Sequence, residues 1–235
     1  MLAMLSLAAL GGCVSNVEIP FDHGANADIK HIGILTPHVD DHPQMVLASD
    51  IGQSFGLIGA LVDVSLQEKR DKTFAAILST HNDDPKANFV ADLKASLAVH
   101  GYSATDVPVE RPDANLLKTY PKPATGDVDA YLDVTVISYG YVAAGIADSN
   151  PYRPFVSAKC RLVRARDGAV LMEDTVLYNP VARLGIPADK AVTISPDPAY
   201  AYPDFDSLTG SSDAAVKGLD ASLKAAADSI GTLAQ

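Results

Sequence analysis

Two cysteines, Cys13 and Cys160, are all that the 235 residues contain. That is too few for a disulfide framework. Long apolar runs are equally scarce. No stretch beyond the first 12 residues approaches the ~20 uncharged apolar residues of a membrane-spanning helix. Positive charge is also in short supply. Lys and Arg total 18 against 29 Asp and Glu, a formal net charge of −11. A nucleic-acid binder would carry a basic footprint, and a polybasic second membrane anchor is excluded on the same ground. What remains is a soluble surface suited to cationic partners or to none. HExxH and CxxC are absent, the glycines miss the dinucleotide spacing, and no P-loop lysine follows them. No repeat or low-complexity tract interrupts the chain. Apolar residues make up 48% of it, enough for one domain with a sizeable core.

The most informative stretch is the first. Residues 1–12, MLAMLSLAALGG, are uncharged and apolar, far too short to span a bilayer, and end in two small residues before Cys13. Leu10-Gly11-Gly12-Cys13 resembles the bacterial lipobox, although Gly11 stands where Ala or Ser is commoner and no Lys or Arg precedes the run. The resemblance implies that residues 1–12 are a lipoprotein signal peptide and that Cys13 carries the lipid. Each buried CH₂ of an acyl chain contributes roughly 0.8 kcal/mol, so several chains on one residue hold a domain at a membrane. With Cys13 so used, Cys160 has no partner and reads as a small buried hydrophobe. Val14, in place of an inner-membrane retention Asp, favours the periplasmic face of the outer membrane, with the inner membrane as the alternative. Residues 13–30, polar and without period, read as a tether, and 31–235 as a single periplasmic domain.

Within that domain His31–Pro37 reads as a strand and 38–50 as irregular. Residues 51–79 read as a glycine-rich helical segment. Phe89, Leu93 and Leu97 stripe a helix over 87–99, which ends at Gly101 in the position of a helix-terminating glycine. A strand follows from Tyr102, and 110–126 form a connection. Ala130–Tyr141 is a long strand with Ala130, Leu132, Val134 and Val136 on one face and Tyr131, Asp133, Thr135, Ile137 and Tyr139 on the other. Phe155–Arg166 and Ala169–Tyr178 alternate around Asp167-Gly168, a two-residue hairpin turn. Residues 179–210, rich in Pro, Asp and Tyr, read as a long loop, and 212–234 as an amphipathic helix striped by Val216, Leu219, Leu223, Ala226, Ile230 and Leu233. The expected fold is α/β (α+β): a single mixed sheet with a C-terminal three-stranded antiparallel meander and helices packed mainly on one face.

Candidate chemistry is thin. His38-Val39-Asp40-Asp41-His42 groups two imidazoles and two carboxylates, but at no zinc or calcium spacing. Gly52-Gln53-Ser54-Phe55-Gly56 has the letters of a nucleophile elbow around Ser54, without the strand and helix that elbow needs and without a histidine beyond His100. The expectation is therefore no catalytic residue, no metal and no cofactor. Tyr139, Tyr141, Tyr178, Tyr200 and Tyr202 fall at strand ends and in the long loop, where tyrosine suits a contact surface.

Taken together, the lipobox, FVADLKASLAVHGYSATDV, DAYLDVTVISYG, PFVSAKCRLVRARDGAVLMEDTV and the closing helix resemble small lipoproteins whose domain is like the N-terminal domain of TolB. The curli-secretion lipoprotein and the lipoprotein activator of penicillin-binding proteins belong to that group. The resemblance implies a non-enzymatic accessory or assembly factor that meets another envelope protein. Its alternative is a ligand-binding auxiliary lipoprotein of an export or lipid-transport system. The glycine-rich segment departs from the pattern.

Overall fold

The two strands that flank Asp167-Gly168 form a hairpin, but its turn is longer than the two residues expected: Arg164 N–H donates to Ala169 O at 2.8 Å and Gly168 N–H to Arg164 O at 2.9 Å, so residues 165–168 make the loop. In the computed structural model, which describes residues 18–48, 64–122, 128–144, 151–182 and 188–235, Gly168 takes φ +74°, a conformation that costs glycine little. The chain order is β1 (His31–Leu35), β2 (His38–Val39), β3 (Gln44–Ala48), α1 (Val64–His81), α2 (Pro85–Val99), β4 (Ser103–Val107), β5 (Ala130–Ala144), β6 (Arg153–Arg164), β7 (Val170–Tyr178), β8 (Val192–Ile194), α3 (Phe205–Gly210) and α4 (Ser212–Leu233). One sheet runs β4-β1-β5-β6-β7-β8. β5, β6 and β7 are the antiparallel meander, whereas β1 lies parallel between β4 and β5. The molecule is thus a mixed α+β sheet with C-terminal antiparallel strands and helices on one face.

The helices on that face obey local rules. Pro85 opens α2 and the Asp84 carboxylate accepts from Ala87 N at 3.0 Å, an N-cap. Gly101, at φ +83°, closes it. Tyr102 N–H donates to Leu97 O and Gly101 N–H to Ala98 O, satisfying carbonyls that the helix end leaves open. α4 buries Val216, Leu219, Leu223, Ala226 and Ile230. It packs on β6, β7 and α2. A Cβ on Gly231 would sit 2.2 Å from Ser96 Oγ, and one on Gly218 would meet the Tyr141 hydroxyl at 2.6 Å and the Tyr200 ring at 2.7 Å. Glycine weakens a helix by about 1 kcal/mol relative to Ala. Here it admits α2 at one point and two aromatic side chains at another.

Residues 38–50, expected to be irregular, contain two strands instead. β1, β2 and β3 follow one another along the same edge of β5, all parallel to it. They are too short for a periodic signal, and the free hydrogen-bonding edge of β5 defines them. The 179–210 stretch likewise holds short 3₁₀ turns, β8 and α3. Of the glycine-rich segment 51–79, residues 64–79 lie in α1, and 51–63 fall outside the described residues.

Residues 18–30 also depart from the tether expectation. Ile19 N–H donates to Glu173 O at 2.8 Å and Glu173 N–H to Ile19 O at 2.9 Å, on the edge of β7 that faces away from β6. Phe21 packs against the main core, and Ile29 is buried in it. Asn26 accepts from Arg164, and Asp129 Oδ2 accepts from Lys30 N and His31 N, each at 2.8 Å. This segment is part of the fold.

Candidate functional site

β5 carries the residues that matter on both sides of the sheet. Its pairing with β6 slips by one residue between Val136 and Ser138. Such a bulge turns every later side chain to the opposite face. Ala130, Leu132, Val134 and Val136 enter the core beneath the helices as their alternation implies, but beyond the bulge Tyr139 and Tyr141 enter it too. The uninterrupted period-two reading put Tyr139 on the other face, and the bulge corrects it.

The tyrosine contact surface is corrected with it. Tyr139, Tyr141, Tyr178 and Tyr202 are buried, and Tyr200 is half-buried against the same core. Tyr141 donates to Ala215 O at 2.7 Å and meets Phe74 and Tyr202 edge-on at 5.5 and 5.8 Å between ring centroids. The Tyr178 hydroxyl accepts from Asp197 N at 2.8 Å, and Tyr202 pairs through its backbone with Tyr152. Arg70, itself buried, donates to the Tyr152 hydroxyl at 2.7 Å and lies over the rings of Tyr152 and Phe205. Burial pushes the Tyr139 and Tyr141 hydroxyls well above the ordinary tyrosine range. These rings stitch the 196–205 segment and α1 to the sheet.

On the opposite face the connection 108–122 covers Leu35, Tyr131 and Ala165, with Val107, Val109, Leu117, Tyr120 and Val128 packed alongside. Polar groups fasten it. Asp133 is fully buried on β5 and accepts from the Arg111 guanidinium, from Leu117 N at 2.7 Å and from the Tyr120 hydroxyl at 3.1 Å. Arg161 on β6 donates to Tyr120 Oη at 3.0 Å, to Leu117 O at 3.3 Å and to Glu173 at 2.7 Å. Thr135 Oγ1 donates to Ala114 O at 2.8 Å. Burial, reinforced by the Asp133 charge, pushes the Tyr120 hydroxyl up to about 12. A carboxylate with three donors and a tyrosine so hard to ionise make a structural clasp rather than an acid–base pair. Sequence reading passed over Arg111, Tyr120 and Arg161. Asp133, the one charged residue of its strand, was the signal for them.

The metal and nucleophile candidates do not converge. His38 lies in β2, paired with Thr135, and His42 is exposed in the following turn. Among the described residues no three His, Cys, Asp or Glu side chains gather where an ion would bind. Ser54 and Cys13 fall outside the described residues. Cys160 is buried, its sulfur 3.7 Å from Asp174 O and 3.9 Å from Met172 Sδ, and burial raises its thiol far above the usual range. Among the described residues no helix is long and apolar enough to cross a membrane.

Acid collects where α1, α2 and α4 meet. Asn88 donates to Asp83 at 2.9 Å and to Asp220 at 3.3 Å. Burial raises the pKa of Asp220 above the ordinary 3.8, and the Asp83 charge raises it further. A raised folded value means that the folded chain holds this proton more tightly than the unfolded chain. The resulting stability is present below 3.8 and is lost as pH rises through the folded value. Asp220→Asn, which keeps an acceptor for Asn88, is therefore expected to raise Tm at pH 7 and to lose that advantage in acid. Thermal unfolding followed by circular dichroism at both pH values checks this, and an unchanged Tm at pH 7 refutes it.

No family model matches the sequence. No curated protein matches it either. Among solved structures, a Xanthomonas campestris protein of the DUF330 family is similar at a TM-score of 0.42 and 8% identity, over 86% of this chain and 81% of that one. Lipoprotein GNA1162 from Neisseria meningitidis is similar at a TM-score of 0.23 and 17% identity, over 63% of this chain and 81% of that one. At these values neither likeness bears on what this chain does.

Proposed function

We propose that the protein is a lipoprotein anchored through acyl chains on Cys13 at the periplasmic face of the outer membrane. There it acts as a non-enzymatic accessory or assembly factor for another envelope protein. The observation that carries the reading is the junction Leu10-Gly11-Gly12-Cys13 at the end of an uncharged apolar run, six positions before the first docked residue, Ile19. The described residues bear on the non-enzymatic part of it alone. Polar and ionic groups on the far face of the sheet are used to fasten the 108–122 connection. The tyrosines are used to pack the interior. The groove along α2, about 480 Å³ and lined by Asp84, Lys86, Ala87, Val90, Ala91 and Lys94, is open to solvent.

Metabolic labelling with a radioactive fatty acid tests the anchor. The wild-type chain is expected to take up label and to fractionate with membranes. Cys13→Ala is expected to take up none and to appear in the soluble fraction. Equal labelling of the two ends the reading. Crosslinking in intact cells then tests the role, with a discrete adduct to an envelope protein expected for the wild type and lost in Cys13→Ala.

A further inference from the structure

The docked segment 18–30 changes what a lipid on Cys13 would permit. If residues 13–30 were all tether, 17 steps of chain would reach about 56–61 Å, and the domain could present any side to the membrane. Ile19, however, is bonded to Glu173 at the open edge of β7, the same edge that β8 occupies further along. From Cys13 to Ile19 there are six steps, which span at most about 20–22 Å fully extended. The sheet is wider than that. From β4 to the position of Ile19 and β8 is five strand spacings, about 24 Å at ~4.8 Å each before any side chain is added. With the β4 edge against the bilayer, Ile19 would stand higher than the chain can reach.

We infer that the six-step interval keeps the β4 edge off the bilayer, so that the β7–β8 edge lies on average nearer the membrane and the β4–α2 side faces the periplasm. Thr193 on β8 then lies nearer the bilayer than β4 does, and a protein partner has access to β4 and to the open groove of α2. The inference rests on the proposed anchor at Cys13. It adds an orientation that the anchor alone does not supply. The acyl chains position the lipid, the Ile19–Glu173 pairing positions the fold, and the short interval between them couples the two.

Thr193 on β8 and Thr105 on β4 are exposed residues on the two edge strands, so single cysteines there give matched probe sites. Cys160 is buried and Cys13 would be acylated, leaving each introduced thiol as the one to label. The full-length lipidated protein, carrying a fluorophore at Thr193→Cys or Thr105→Cys, is reconstituted in phosphatidylethanolamine–phosphatidylglycerol vesicles containing headgroup-spin-labelled lipid. Quenching is expected to be at least about twofold stronger at position 193, given the ~24 Å between the edges. Equal quenching, or stronger quenching at 105, overturns the orientation. A Gly-Ser insertion of about 20 residues between Ser15 and Asn16 adds roughly 25 Å of average reach and is expected to bring the two signals together. A difference that survives the insertion overturns the tether as its cause. Mass spectrometry of the Cys13 peptide separates the two levels. A chain without acyl groups fails the proposed function, whereas an acylated chain with equal quenching fails only the orientation.

Discussion

Asp133→Ala is expected to destabilise the protein by about 3–5 kcal/mol, the cost of leaving one member of a buried ion pair without its partner. Asp133 is fully buried, and the side chain of Arg111 is only 7% exposed. Removal of the carboxylate strands the guanidinium, Leu117 N–H and the Tyr120 hydroxyl together. Each buried donor left unmade carries a desolvation penalty, and the charged one carries the largest. For a domain of this size the loss corresponds to a fall in Tm of roughly 6–20 °C. A second effect is local. The 108–122 connection is held by these groups, so trypsin is expected to cut the variant at Lys118 well before it cuts the wild type. Arg111→Met combined with Asp133→Leu removes both charges and should recover part of the loss. Denaturant unfolding measures all three proteins. An Asp133→Ala variant within about 1 kcal/mol of wild type would show that the pair is not the clasp described.

The second large effect belongs to Gly140→Ala. Gly140 lies in β5 at φ +143°, where an L side chain is strained, and it pairs with Gln44 at the start of β3. A Cβ there would stand 2.0 Å from Gln44 O and 2.6 Å from Gln44 N, backbone atoms that cannot swing aside as a side chain would. Either β3 leaves its place or β5 shifts its bulge, and each forfeits paired backbone groups and the burial of Met45. The expected cost is about 3 kcal/mol or more. Because the damage is confined to the β3–β5 pairing, amide exchange should quicken across Gln44–Ala48 before it does in the β6–β7 hairpin. Protection unchanged in β3, with a stability equal to wild type, would contradict the structure at this point.

Much of the architecture was legible in the sequence because it is fixed by neighbours in the chain. Gly168 marks the β6–β7 hairpin, although its turn is longer than two residues, Gly101 ends α2, and the apolar stripe from Val216 to Ile230 selects the buried face of α4. Each follows from a dihedral preference or a period that acts over a few residues. The junction at Cys13 is of the same kind, and the proposed anchor rests on sequence alone.

What the tertiary structure decided depended on partners far along the chain. β2 and β3 exist because β5 offers an edge, and one extra residue near Ile137 sends Tyr139 and Tyr141 inward instead of outward. Arg111 becomes a clasp only when Asp133, 22 positions later, is buried beneath it. Residues 18–30 join the fold because Glu173, Arg164 and Asp129 complete their hydrogen bonds. Hydrophobic period and turn chemistry report local preference, whereas register, bulges and backbone pairing are settled by which distant groups satisfy one another.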